Sequence, residues 1–132
     1  MTPQFTETVL SILQKAYQKA EKSHHLEITA NHLLLMFCQE AGGYFQTICE
    51  ALHLNLNPLI PQLHQFINTL PTYEKESKEP TLHTSLQKMI HEAQNLADEW
   101  KDTFISSDHF FYLFWKGPLE PFSSWKTQAA IS

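Results

Sequence analysis

Eight histidines, two cysteines and fourteen carboxylates give this chain of 132 residues ample material for chemistry, and their spacing decides which chemistry is open to it. A histidine metal site needs ligands on one face, as HExxH supplies on a helix. No such motif occurs, and His24, His25 and His32 are spaced as a turn pair plus a helix residue. No Ser-His-acid context or nucleophile elbow is present. Gly42, Gly43 and Gly117 are the three glycines, and none belongs to a GxxxxGK[ST] or GxGxxG phosphate cradle. Metal, acyl-transfer and nucleotide chemistry are therefore not expected, and this chain reads as no enzyme, with neither metal nor cofactor of its own.

Cys38 and Cys49 lie in apolar surroundings without a CxxC or a secretory signal, which reads as free thiols in a reducing cytoplasm. Nine basic side chains against fourteen acidic ones leave a net charge of −5. A nucleic-acid binder would carry a basic stripe instead. No apolar run approaches the ~18 residues of a membrane helix. The length fits one domain.

The elements that carry these groups are helical. Val9, Ile12, Leu13, Ala16, Tyr17 and Ala20 recur at i, i+3, i+4, i+7, with Thr6 as cap and Phe5 as a staple residue before it. Thr29 caps a second, apolar helix from Ala30 to about Gln39, broken by Gly42-Gly43. A third helix fits Tyr44 to Leu52. A fourth starts at a capping Asn57 with Pro58 in its first position and buries Leu63, Phe66, Ile67 and Leu70. Pro71 to Pro80 is polar, charged and proline-bracketed, a solvated linker. Thr84 or Ser85 then caps a fifth helix with Leu86, Met89, Ile90, Ala93, Ala97 and Trp100 inward, and Ser106 caps a sixth through Phe110, Phe111 and Phe114. Gly117-Pro118 stops it, and E-P-F-S-S-W leaves room for one short helix more. Sustained alternation is missing, so no sheet is expected. The fold class is all-α, with six to seven helices.

One sentence is written twice. I-T-A-N-H-L-L-L-M-F (residues 28–37) returns as I-S-S-D-H-F-F-Y-L-F (105–114), 77 residues later. The same offset carries Val9 onto Leu86, Ile12 onto Met89, Ala16 onto Ala93, Ala20 onto Ala97 and His32 onto His109. A duplicated unit preserves helix faces and caps in this way, and two such units bury their apolar faces against each other as a pseudo-twofold pair. Repeat one spans residues 5–69, the linker 71–81 and repeat two 82–132, a second unit that reads as trimmed. For His32 and His109, bonding to a neighbouring loop is the expected role.

The segments F-T-E-T-V-L-S-I-L-Q-K-A, I-T-A-N-H-L-L-L, L-P-T-Y and L-A-D-E-W-K-D-T-F-I-S-S-D-H carry a resemblance. The chain resembles the N-terminal double Clp repeat domain of the Clp AAA+ chaperones, most closely the ClpB-type disaggregases. The resemblance implies a tethered helical module above a hexameric ATP-driven ring in the cytoplasm, gripping unfolded or aggregated polypeptides in a groove between the repeats. ATP and magnesium would belong to the parent ring, following Ser132. The ClpA- and ClpC-type alternative is a domain that docks adaptor proteins.

By the same resemblance the polar site positions fall on Thr6, Asp102 and Asp108, and the apolar groove on Ile90, Leu96 and His109, with Phe110 adjacent. Leu96 stands one step off the buried stripe of its helix and is expected to be partly exposed. Thr6 also suits a plain capping role, and Asp108 favours a helix N-terminus. Family members usually carry Pro and Glu where this chain has Ala30 and Asn31.

Overall fold

The computed structural model describes residues 4–74 and 79–131. Its elements are α1 (Glu7–Lys22), β1 (Glu27–Ile28), α2 (Ala30–Gln39), α3 (Tyr44–Ala51), α4 (Leu59–Asn68), β2 (Thr81–Leu82), α5 (Thr84–Glu99), α6 (Ser107–Lys116) and α7 (Phe122–Ile131). The all-α class holds, with seven helices among the described residues.

Helix α2 is the axis. Its Leu33, Leu34, Leu35, Phe37 and Cys38 are all fully buried, as expected of a helix that is apolar nearly all round. It packs on α1, α3, α4 and α5. Phe37 stacks on Phe45 of α3 with ring centroids 4.5 Å apart, and lies 5.6 Å from Phe110 of α6. Phe114 approaches both Phe45 and Phe122 at 6.1 Å. The aromatic character of the second copy is thus mainly a core property. Cys38 and Cys49 are buried free thiols, and burial pushes the Cys49 thiol up to about 11.

The offset of 77 reappears in the geometry. Phe5 pairs in parallel with Ile105, and Ile28 pairs in parallel with Leu82, each pair being the other one shifted and exchanged. Thr6 N–H donates to the Ile105 carbonyl at 3.0 Å, and His83 N–H, its counterpart, to the Ile28 carbonyl at 2.9 Å. Helices α1 and α5 end alike. His24 (φ 59°) and Lys101 (φ 61°) both adopt the left-handed conformation. The next amides, His25 N–H and Asp102 N–H, return to the Ala20 and Ala97 carbonyls at 2.9 and 2.8 Å, a Schellman closure at each helix end.

Several expectations need correcting. A small parallel sheet exists where none was expected, because two-residue strands are too short to show alternation. The linker is held at both ends: Thr72 bridges to His25, Tyr73 N–H donates to the His24 carbonyl, and Thr81 pairs with Glu27. Residues 75–78, its centre, lie outside the described residues. Pro58, already helical at φ −65°, occupies the cap of α4 without a side-chain bond, one residue after the expected Asn57. The cap of α5 is His83, whose ring accepts from Ser85 N–H at 3.0 Å, in place of Thr84 or Ser85.

The tail after Gly117 completes the core. Phe122 is fully buried, and Trp125 Nε1–H donates to the Asn55 carbonyl at 3.0 Å, tying α7 back to the first half of the chain.

Candidate functional site

The two matched histidines are cap residues. Thr29 N–H donates to His32 Nδ1 at 2.9 Å, and Ser106 N–H donates to His109 Nδ1 at 2.9 Å. Each ring thus plays the part that Glu or Gln plays in a capping box. With Nδ1 accepting, Nε2 carries the proton. In repeat two it donates to Asp102 Oδ2 at 2.8 Å, and in repeat one it faces His25 Nδ1 at 2.9 Å. The His25 ring in turn bonds the Ile67 backbone. Burial, then His25 and Lys19, lower the His32 pKa to about 4, so this ring stays neutral.

Around α6 the structure gathers residues far apart in sequence. Thr6 Oγ1 accepts from Val9 N–H at 3.2 Å, the expected cap. Thr6 also shares a polar recess of about 420 Å³ with Thr8, Glu40, Ser106 and Asp108, where α1 and α6 both begin. Asp108 accepts from Ser106 Oγ and from His109 N–H. Beyond it opens an apolar cleft of about 410 Å³ lined by Tyr44, Ile48, Leu52, Trp100, Phe111 and Tyr112, with Asp108 at its edge. Burial, then Asp108, raise the pKa of Tyr44, which keeps its phenol a neutral donor.

Trp100 and Tyr112 meet edge to face, centroids 5.4 Å apart, and form a ridge. On its far side runs a groove of about 490 Å³ between α5 and α6, with Leu96 and Leu113 at its apolar face and Glu92, Asn95, Glu99 and Lys116 as polar lining. Lys116 Nζ lies 5.6 Å from the Tyr112 ring centre, within cation–π range.

Thr6 and Asp108 are brought together; Asp102 lies apart, bonded to His109. Leu96 lines a groove, but one between two helices of the second repeat rather than between the repeats, and it is only 8% exposed, buried rather than partly exposed. Ile90 packs against the core, about 120° round α5 from Leu96 at 100° per residue. His109 and Phe110 are fully buried and present no surface to a groove: one is locked as a cap, the other packs on Phe37. Trp100, expected inward, is 41% exposed, and Tyr112 39%. Sequence reasoning missed both. Trp100 is the C-cap residue of α5, so it leaves the inner stripe just as the helix ends. Its spacing from Leu96, i+4, was the available signal.

Among the described residues no cluster of three potential metal ligands occurs and no helix is long and apolar enough to cross a membrane. The model of the Clp repeat (R) N-terminal domain matches residues 4–123. The chain belongs to the Clp repeat N-terminal domain family. It is 32% identical over 128 residues to the chaperone protein ClpB of Chlamydia muridarum, and 30% identical over 128 residues to that of Chlamydia pneumoniae. Each match covers 97% of this chain and 15% of the relative; the chain therefore spans about a seventh of the length of these curated relatives.

The Hsp104 N-terminal domain from Candida albicans superposes with a TM-score of 0.81 at 15% identity, over 98% of this chain and 83% of that one. The N-domain of ClpV from Vibrio cholerae gives 0.69 at 16% identity, over 82% and 64%. A structure described as a peptide from the EAEC T6SS SciI protein gives 0.83 at 17% identity, over 97% and 84%. At these identities the likeness is one of fold. That fold is shared with the N-terminal domains of Hsp104 and ClpV.

Proposed function

We propose that this Clp repeat domain is the non-catalytic polypeptide-gripping module of a ClpB-type disaggregase, and that it holds apolar segments of unfolded or aggregated chains across the Trp100–Tyr112 ridge. The observation that carries this reading is the ridge itself: two aromatic side chains about two-fifths exposed, with an apolar cleft on one side and the Leu96 groove on the other. Exposed aromatic surface between clefts is what a recognition surface for extended or helical segments offers.

Such a grip is weak and sequence-tolerant, since a few apolar contacts must offset the ordering of a disordered chain. Transient hold suits a module that hands its client to an ATP-driven hexameric ring, which would supply ATP and magnesium chemistry in the cytoplasm. Asp108 at the cleft edge and Glu92 and Glu99 in the groove favour basic residues beside the apolar ones, an effect screened within about 8 Å at physiological salt.

The test is binding of a permanently unfolded model polypeptide against its folded counterpart. Binding of the unfolded form alone supports the gripping role. A stable stoichiometric complex with a folded adaptor protein, without affinity for unfolded chains, would assign the domain to adaptor docking as in ClpA- or ClpC-type unfoldases.

A further inference from the structure

A buried chain of hydrogen bonds runs through the place where α1, α2, α4 and the linker meet. Thr29 N–H donates to His32 Nδ1 at 2.9 Å, and His32 Nε2 faces His25 Nδ1 at 2.9 Å. The other nitrogen of His25 bonds the backbone of Ile67, where only the carbonyl accepts from a ring N–H. A backbone amide can only donate, so the direction of every link is fixed from Thr29 onward. Each ring is neutral and carries its single proton on Nε2. The two rings, His25 and His32, are 3% and 0% exposed.

Such a chain has no place for another proton. On His25 Nδ1 it would confront the Nε2–H of His32, and on His32 Nδ1 the amide of Thr29, donor against donor at 2.9 Å in either case. The surroundings offer no compensation. Lys19 of α1 adds a positive field at both rings, and α4 contributes the Ile67 backbone. The linker contributes Thr72, bridged to His25, and Tyr73, whose ring meets that of His24 edge-on at 5.2 Å. Glu21 and Glu27, the nearest acids in sequence to His25, are exposed. Among the described residues the histidine–carboxylate pairs both belong to His109.

Residues 24–27 are also where the linker is tied. Leu26 N–H donates to the Pro71 carbonyl at 3.2 Å, Tyr73 N–H to the His24 carbonyl at 3.0 Å, and Thr81 N–H to the Leu26 carbonyl at 3.2 Å. We infer that the His25–His32 pair is an acid-opened latch on the linker between the repeats: a proton taken up from solvent breaks the chain at His25 or His32, and the two linker ends come away from residues 24–27. Repeat two is less sensitive. At the matched place the Asp102 carboxylate accepts from His109 Nε2 at 2.8 Å, and Asp108 lies 3.7 Å from Nδ1, so an added proton there meets two acids in place of an imidazole and a lysine. The latch shares no residue with the Trp100–Tyr112 clefts and is independent of the ridge reading.

The test is heteronuclear NMR of the chain from about pH 7 to about pH 5. At the upper end the ring correlations should show both His25 and His32 with the proton on Nε2. Amide hydrogen exchange, divided by the intrinsic rate at each pH, should then show the protection of Leu26, Tyr73 and Thr81 falling about thirtyfold, the linkage of one imidazole moved from 6.5 to about 4. The Thr6 and Ile105 amides, which tie the start of the chain to repeat two, should keep theirs. His25→Asp puts a carboxylate beside His32, as Asp102 stands beside His109, and should remove most of the fall. An Nδ1–H on either ring at neutral pH, protection independent of pH, an equal fall at Thr6 and Ile105, or an undiminished fall in His25→Asp would each overturn the inference.

Discussion

His109 Nε2 donates to Asp102 Oδ2 at 2.8 Å, and the residue that faces His32 Nε2 at the matched position of the first repeat is His25, at 2.9 Å. The duplicated frame kept the cap histidine and its distance to a partner seven residues earlier, but exchanged an acid for a second imidazole. Asp102 therefore fixes the ring that caps α6, the helix that carries Asp108 and Tyr112.

Asp102→Ala should destabilise the domain by about 1–2 kcal/mol, the cost of leaving a buried ring N–H unpaired. Asp102→Asn keeps an acceptor in place and should cost less than half as much. Chemical denaturation of the three proteins compares them; equal losses for Ala and Asn would refute the hydrogen-bond account.

The His25–His32 pair makes the first repeat sensitive to acid. The folded His32 has its pKa lowered from 6.5 to about 4, so between those values the unfolded chain binds a proton that the folded chain does not. Stability then rises with pH across that window and is lost as pH falls from about 6.5 towards 4. His32→Gln retains an acceptor for the Thr29 amide but cannot titrate, and its melting temperature should fall less steeply over the same range. An unchanged slope would exonerate this pair.

Phe45 joins the halves, stacked on Phe37 and edge-on to Phe111 and Phe114. Phe45→Ala should cost about 3–5 kcal/mol, the range for large aromatic deletions in a packed core. Thermal unfolding measures this, and a loss below 1 kcal/mol would mean that the two halves are held together elsewhere.

Much of the frame was legible in the chain. Thr6, Thr29 and the stripe from Val9 to Ala20 announce themselves through cap chemistry and helical period. The site was less legible, for a physical reason: a helical period reports which face is apolar, but not whether a neighbour covers it. Leu96, one step off its stripe, is only 8% exposed, whereas Trp100 and Phe66, both expected inward, are 41% and 40% exposed. His109, with Phe110 adjacent, reads as a groove residue through the family resemblance alone, yet both side chains are fully buried. The tail was opaque because its meaning depends on contacts 70 residues away, such as Trp125 with the Asn55 carbonyl.

The ridge can be separated from the scaffold. Because Trp100 and Tyr112 are each about two-fifths exposed, Trp100→Ala and Tyr112→Ala should each cost clearly less stability than Phe45→Ala. Each should weaken binding of an unfolded polypeptide about three- to tenfold, as loss of an aromatic anchor does, read by fluorescence anisotropy of the labelled client. Unaltered binding in both variants would remove the ridge from the site.

The most direct measurement is an NMR titration of the chain with a permanently unfolded polypeptide, followed at the Trp100 indole and at the Leu96, Leu113 and Ile48 methyls. Gripping across the ridge predicts saturable shifts concentrated at these four residues, with the core methyls of Leu33 and Leu34 unmoved. Shifts that cluster on α4 and the linker ends while the Trp100 indole stays fixed would contradict it.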